Sequence, residues 1–210
     1  MDNNLEKNVE DNEEIVIKKT FLKKENVRKQ MKNFWDLIRF AAIALAIVIP
    51  IRLWIAQPFV VSGESMFPTF NDKEYLIVDE ISYILGEPER GDVVIFRYPN
   101  DTSRFFIKRI IALPNEKIIM KNGVVTIFND ENPDGFVLDE PYIKEEWSTN
   151  LNETMGSDEY FVMGDNRNRS SDSRMWGNLS RKFMVGRAYL RLIPIKNLSY
   201  LPGSIESFNE

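Results

Sequence analysis

The chain has 210 residues, with 27 Lys or Arg against 32 Asp or Glu and with neither histidine nor cysteine. Without histidine there is no Ser-His-Asp triad and no ordinary zinc site, and without cysteine there is no disulfide, thiol nucleophile or Fe–S cluster. Of the charges, residues 1–59 hold 10 basic and 8 acidic, leaving 17 basic and 24 acidic in residues 60–210, a poor match to nucleic-acid phosphates.

Residues 1–14 are polar and acidic, with almost nothing to bury, and read as a disordered tail. A basic stretch follows, carrying Lys18, Lys19, Lys23, Lys24, Arg28, Lys29 and Lys32. Next comes an apolar segment from Phe34 to Phe59. Its uninterrupted run, Phe40 to Ile51, is 12 residues, short of the roughly 20 that a spanning helix needs. Arg39 and Arg52 bound the run, about 20 Å apart on a helix. Both can snorkel outward along their aliphatic stems. Trp35 and Trp54 lie just beyond them, where interfacial aromatics belong. A cleavable leader needs small residues at its exit, but the exit reads Leu53-Trp54-Ile55-Ala56-Gln57-Pro58. A buried core helix has no use for flanking arginines and tryptophans. The segment therefore predicts a transmembrane anchor over 34–58. A cytoplasmic polar and basic tail (1–33) precedes it, and positive residues stay inside. Residues 59–210 form an extracytoplasmic domain at the cell membrane, so the lipid bilayer is one expected partner.

Beyond residue 60 the pattern is mostly β. Glu74–Asp79, Asp92–Arg97, Arg104–Leu113, Glu116–Lys121, Val124–Phe128, Glu159–Met163 and Val185–Ile193 are rich in β-branched and aromatic residues. Asn122-Gly123 between two of these runs predicts a hairpin. Residues 129–157 are polar and weakly patterned, and predict a less regular insert.

Three segments can carry chemistry. Ser62-Gly63-Glu64-Ser65-Met66-Phe67-Pro68-Thr69 follows the apolar segment directly. Gly63 permits a tight turn, and a serine there can present its hydroxyl and its own N–H to a carbonyl. By itself such a serine also fits a plain turn or cap. Phe105-Phe106-Ile107-Lys108-Arg109-Ile110-Ile111 places Phe106, Lys108 and Ile110 on one strand face. Burial there would lower the lysine pKa and make it a base. An edge-strand lysine that blocks aggregation fits the same pattern. Gly164-Asp165-Asn166-Arg167-Asn168-Arg169-Ser170-Ser171-Asp172-Ser173-Arg174-Met175-Trp176-Gly177 reads as a salt-bridged loop. Arg167 and Arg169 stand where a calcium loop needs oxygen ligands, so no metal is expected. Met66 and Phe67 fit either a bilayer-facing turn or the core.

Together these segments resemble the bacterial type I signal peptidases, in the Gram-positive pattern. Gly63-Glu64-Ser65-Met66-Phe67-Pro68-Thr69 is similar to the nucleophile box. Arg90–Phe96 is similar to a structural box, Phe106–Pro114 to the lysine box, and Gly164–Gly177 to the last box. The resemblance implies a coiled antiparallel β-sheet catalytic domain behind one N-terminal transmembrane helix. It implies Ser65 as nucleophile and Lys108 as general base in a Ser-Lys dyad, with no cofactor. Ser170 would hydrogen-bond and orient the lysine, Asp172 and Arg174 would form an ion pair beneath the site, and Asp165 would support them. The implied substrates are secreted preproteins, cut after a small-x-small site. Gly63 stands where some relatives carry a serine, and Ala112-Leu113-Pro114-Asn115-Glu116 departs from the common Gly-Leu-Pro-Gly-Asp. A self-cleaving Ser-Lys repressor would need a DNA-binding domain ahead of the serine. A membrane-tethered, non-catalytic β-domain that binds nascent exported chains is the alternative from another class.

Overall fold

The computed structural model describes residues 31–49 and 56–205. The acidic tail, the basic residues up to Lys29, and the outer flank with Pro50, Arg52 and Trp54 lie outside the described residues. The chain divides into two compact units, Met1–Ile51 and Arg52–Glu210.

In the first unit, residues 31–49 form helix α1. Among the described residues no helix is long and apolar enough to cross a membrane, because Lys32, Asp36 and Arg39 fall within this one. The second unit opens with strand β1 (Ala56–Val60), which corrects the outer end of the 34–58 span. Gln57 and Pro58 pair with Val78 and Ile77. The local reason is the β-branched and aromatic run that continues through Val61. Pro58 lacks an N–H, and an edge strand tolerates it.

The second unit is antiparallel β. Its larger sheet contains β1, β2 (Tyr75–Asp79), β3 (Val93–Tyr98), β4 (Asp101–Ala112), β9 (Glu159–Met163), β10 (Leu179–Ser180), β11 (Met184–Ile193) and β12 (Ser199–Tyr200). Their order is β1-β2-β11-β3-β4-β9-β10, with β12 beside β11. The smaller sheet runs β7-β6-β5-β8, from β5 (Lys117–Lys121), β6 (Val124–Phe128), β7 (Phe136–Val137) and β8 (Leu151–Thr154). The insert expected over 129–157 is thus partly regular, since it supplies β7 and β8. Two short helices complete the unit, α2 (Ile81–Leu85) and α3 (Ser173–Trp176).

Two local features show why these residues fold this way. Asn122 and Gly123 both have positive φ, 48° and 82°, as a two-residue hairpin between β5 and β6 requires. Asn115 also adopts positive φ, 65°, a conformation asparagine tolerates, so the turn after Pro114 survives without the usual glycine.

The larger sheet is strongly curled. β11 changes register against both β2 and β3, and such bulges bend a strand and add twist. Gly186 lies so close to the Asp79 carbonyl that a Cβ there would clash. The curl brings the far-apart strands β1 and β4 together, and Phe59 meets Phe105 edge-on at 5.2 Å. β4 pairs with β9 only from Arg109 onward, and β1 pairs only with β2. Two open strand edges therefore face one another across a groove.

Candidate active site

The Ser65 turn is pinned by apolar side chains on both flanks. Val61, Met66 and Phe70 are buried with Leu76, Val78, Val93 and Ile95 under the groove. Of the two residues that fit a bilayer-facing turn, Met66 is 1% exposed and belongs to this core, whereas Phe67 is 49% exposed. Gly63 has φ +91°, a conformation costly for other residues, and its N–H is taken by Asp72. None of the hydrogen bonds among the described residues uses the Ser65 N–H.

Lys108 approaches from β4. Its Nζ lies 2.8 Å from Ser65 Oγ and 2.9 Å from the Ile107 carbonyl oxygen. The residue is 4% exposed, so it is not an edge-strand charge. Burial pulls its pKa down to about 8, against the opposing pull of Asp172 and Asp165. Both carboxylates are already committed to arginines. Arg109, next to Lys108 but on the opposite strand face, grips Asp165 through Nε at 2.8 Å and Nη2 at 2.6 Å. Thr69 also donates to Asp165. Asp172 accepts from Arg174 Nε and Nη2, each at 2.8 Å, and from the Gly164 N–H at 3.0 Å. It also caps α3 by accepting from the Arg174 N–H.

The loop 164–174 touches the serine through its backbone. The Asn166 N–H donates to the Ser65 carbonyl at 3.0 Å, and Asn166 Nδ2 donates to the Glu64 carbonyl. Gly164 fits only because it lacks a Cβ, which would collide with the Ser65 carbonyl and Ser170 Oγ. The hydrogen bond expected between Ser170 and Lys108 is not formed: Ser170 Oγ is buried without a partner. The Lys108 amine is occupied by Ser65 and Ile107, and the Ser170 hydroxyl packs against Gly164.

The polar insert holds this loop from outside. Glu140 forms a double hydrogen bond with Arg167, which donates also to Tyr142 and to the Gly164 carbonyl. The Trp147 ring lies under the Arg167 guanidinium at 4.8 Å and near that of Arg174 at 5.5 Å. Sequence reasoning named Asp165, Asp172 and Arg174 but missed Arg109, Gly164, Asn166, Glu140, Tyr142 and Trp147. Gly164 and Asn166 stood inside the loop that the sequence singled out, and Arg109 stood beside the lysine, whereas Glu140, Tyr142 and Trp147 carried no such signal.

The groove beside the pair encloses about 440 Å³. Phe59, Val60 and Val61 line one side, Arg104 to Lys108 the other, and Leu76 and Ile95 the floor. Among the described residues no cluster of three or more acidic side chains is placed to hold a metal.

A buried amine within hydrogen-bond reach of a turn serine, beside two open strand edges, is the arrangement of a serine hydrolase that acts on extended peptides. Residues 34–193 match the family described as signal peptidase, peptidase S26. The chain belongs to that family. A probable signal peptidase I-1 of Synechocystis is 36% identical over 72% of this chain and 79% of its own length. A probable signal peptidase I-2 of the same organism is 34% identical over 92% of this chain and 88% of its own. Signal peptidase I S of Bacillus subtilis is 33% identical over 84% and 98%. As a peptidase S26 family member the chain is a serine endopeptidase, and the four boxes found in the sequence all fall within the matched residues.

Proposed function

We propose that this signal peptidase removes signal peptides from exported preproteins, with Ser65 as nucleophile and Lys108 as general base. The observation that carries the reading is the 2.8 Å approach of Lys108 Nζ to Ser65 Oγ at a lysine whose pKa burial lowers to about 8. A useful fraction of such an amine is neutral near pH 7.

The preprotein lies extended between the open edges of β1 and β4, adding a strand to both. Val61, Leu76, Ile95 and Ile107 form an apolar wall that receives the small side chains before the scissile bond. Lys108 takes the Ser65 proton as Oγ attacks the carbonyl carbon. The Ser65 N–H, which has no partner among the described residues, donates to the developing oxyanion. As the C–N bond breaks, the Lys108 ammonium returns the proton to the departing amine, leaving an acyl-enzyme. Lys108 then deprotonates a water that hydrolyses the ester and frees Ser65. Asp165, Asp172, Arg174 and Gly63 touch no reacting atom; they position the two segments that do. Ser170 lies on the same loop as Asp165, Asp172 and Arg174, with its hydroxyl against Gly164.

The apolar segment ahead of β1 anchors this domain at the outer face of the cell membrane, with the tail in the cytoplasm. From Phe40 to Ile49 every residue is apolar, and nearly all of these side chains are exposed. A helix apolar on all sides needs lipid or protein around it. Extraction with alkaline carbonate should leave the full chain in the membrane pellet; recovery in the supernatant would remove the anchor.

The deciding experiment mixes the detergent-solubilised chain with a preprotein carrying an Ala-x-Ala site and measures product masses. Cleavage after the final alanine is expected for the native chain, with Ser65→Ala and Lys108→Ala slower by at least about 10³-fold. Cleavage by Lys108→Ala at the native rate would remove the base. Tight binding without cleavage by the native chain would favour the binding module. With native enzyme, kcat/KM should rise about tenfold per pH unit below about 8 and level off above it. No histidine limb can appear, since there is no histidine.

A further inference from the structure

The groove does not end at the Phe59–Phe105 contact. A second cavity of about 310 Å³ lies on its far side, and Phe105 is a wall of both. Strand alternation places Gln57 on the face of Phe59, Arg97 on the face of Ile95 and Phe105 on the face of Ile107. Gln57, Arg97 and Phe105 line the second cavity, as Phe59, Ile95 and Ile107 line the first. The pair of cavities thus follows one face of the curled sheet, away from Ser65 and toward the start of β1.

The chemistry of the second cavity differs from that of the first. Glu80, just past the end of β2, lines it, and one oxygen of its carboxyl, Oε1, is shut off from water without a hydrogen-bond partner. No donor among the described residues reaches that oxygen, so the hydrogen bond on offer in the cavity is to the other oxygen of the carboxyl. The last torsion of a glutamate is soft, so its two oxygens exchange places easily. Among the described residues no ion pair neutralises Glu80, and Arg97 acts on it only through space. Arg97 is turned toward the Thr102 carbonyl and the Phe105 ring. Arg181 is turned toward the Tyr83 carbonyl and Glu87. The cavity therefore offers an acceptor flanked by two cations, which suits a neutral donor and repels an ammonium.

Resting on the peptidase reading above, we propose that this cavity is a second specificity subsite of the preprotein groove. It takes a neutral hydrogen-bond-donating side chain, an amide or hydroxyl, on the N-terminal side of the cleavage site, with Glu80 as acceptor. Gln57 lies four residues before Val61 on β1, about 13 Å at 3.3 Å per residue. The side chain it receives thus stands roughly four to seven residues before the scissile bond.

The test uses the full chain in detergent and preproteins with one Ala-x-Ala site. Gln, Leu or Lys is placed singly at each of the fourth to seventh positions before the cut, and kcat/KM is measured on native enzyme and on Glu80→Leu. At one position native enzyme should prefer Gln over Leu and over Lys by about fivefold, one hydrogen bond's worth. Glu80→Leu should lose that preference, its ratio of Gln to Leu substrates falling to about one. Equal use of Gln and Leu at every position, or a preference for Lys, overturns the subsite as described. Failure of native enzyme to cut any preprotein overturns instead the peptidase reading. A second measurement leaves the cavity unaltered. Preprotein with photo-methionine at the preferred position is bound to Ser65→Ala, irradiated and mapped. Crosslinks to Gln57, Met184 or Val185 support the subsite, and crosslinks confined to residues 59–62 and 104–108 overturn it.

Discussion

Residues 61–70 and residues 164–174 meet at Lys108, but the first segment is held by apolar packing and the second by charge. The serine turn rests on Val61, Met66 and Phe70, all at most 5% exposed. The loop opposite carries Asp165, Arg167 and Asp172, each buried, each in an ion pair or a double hydrogen bond. The difference follows from what each segment must do. In the proposed mechanism the serine needs a free N–H and an unencumbered hydroxyl, and apolar pegs fix a backbone without consuming polar groups. The loop must place carboxylates near a lysine without restoring its ammonium form, and arginine partners blunt their field.

Removing one peg and one clamp tests this contrast, with the largest expected losses. Phe70→Ala leaves a cavity and should cost about 3–5 kcal/mol in urea unfolding. Glu140→Gln should cost a similar amount, about 3–5 kcal/mol, by leaving Arg167 buried and partly uncompensated. The two separate on a second change. Adding Arg167→Met to Glu140→Leu removes both charges and should recover most of the loss, since apolar replacements of buried pairs are often neutral. If the double variant is no more stable than Glu140→Leu alone, charge is not what holds the loop.

Lys108 itself comes next. Its folded pKa, about 8, lies below the ordinary 10.5, so the unfolded chain binds its proton more tightly. The cost to stability is therefore full below pH 8 and is relieved as pH rises from about 8 toward 10.5. It amounts to about 3 kcal/mol at most. Lys108→Met should be inactive yet more stable than the native chain at pH 7, by up to that amount, with the gap closing near pH 10. Equal stability at pH 7 and pH 10 would mean that the lysine is not strained by burial.

What the sequence disclosed follows the same division. Strands rich in β-branched and aromatic residues, such as Val124–Phe128 and Glu159–Met163, occupy the residues expected of them. β8, Leu-Asn-Glu-Thr, has no strand pattern and exists because β5 offers it a ladder. β1 was hidden inside an apolar run whose composition fits a helix equally well. Ser65 and Lys108 did not stand out by local pattern, since a plain turn serine and an edge-strand lysine fit the same residues; the resemblance of four boxes in order singled them out. The clamp was not legible: Glu140 and Arg167 are 27 residues apart, and an ion pair leaves no periodic trace. The Ser170 hydroxyl was misjudged for a related reason, since its direction depends on how tightly Gly164 packs against Ser65.

The smallest predicted effect bounds the comparison. Arg169 reaches across from the loop to Glu64, next to Ser65, at 2.7 Å, yet the two side chains remain 71% and 61% exposed. Among the described residues it is the ion pair that joins these two segments directly, whereas the buried clamps tie the loop to β4, to the insert and to itself. Water and salt screen such a pair, and two long side chains lose rotamer freedom in making it. Arg169→Ala should therefore change stability by no more than about 0.5 kcal/mol, with kcat/KM near native. A loss as large as that of Glu140→Gln would show that the serine turn depends on charge after all.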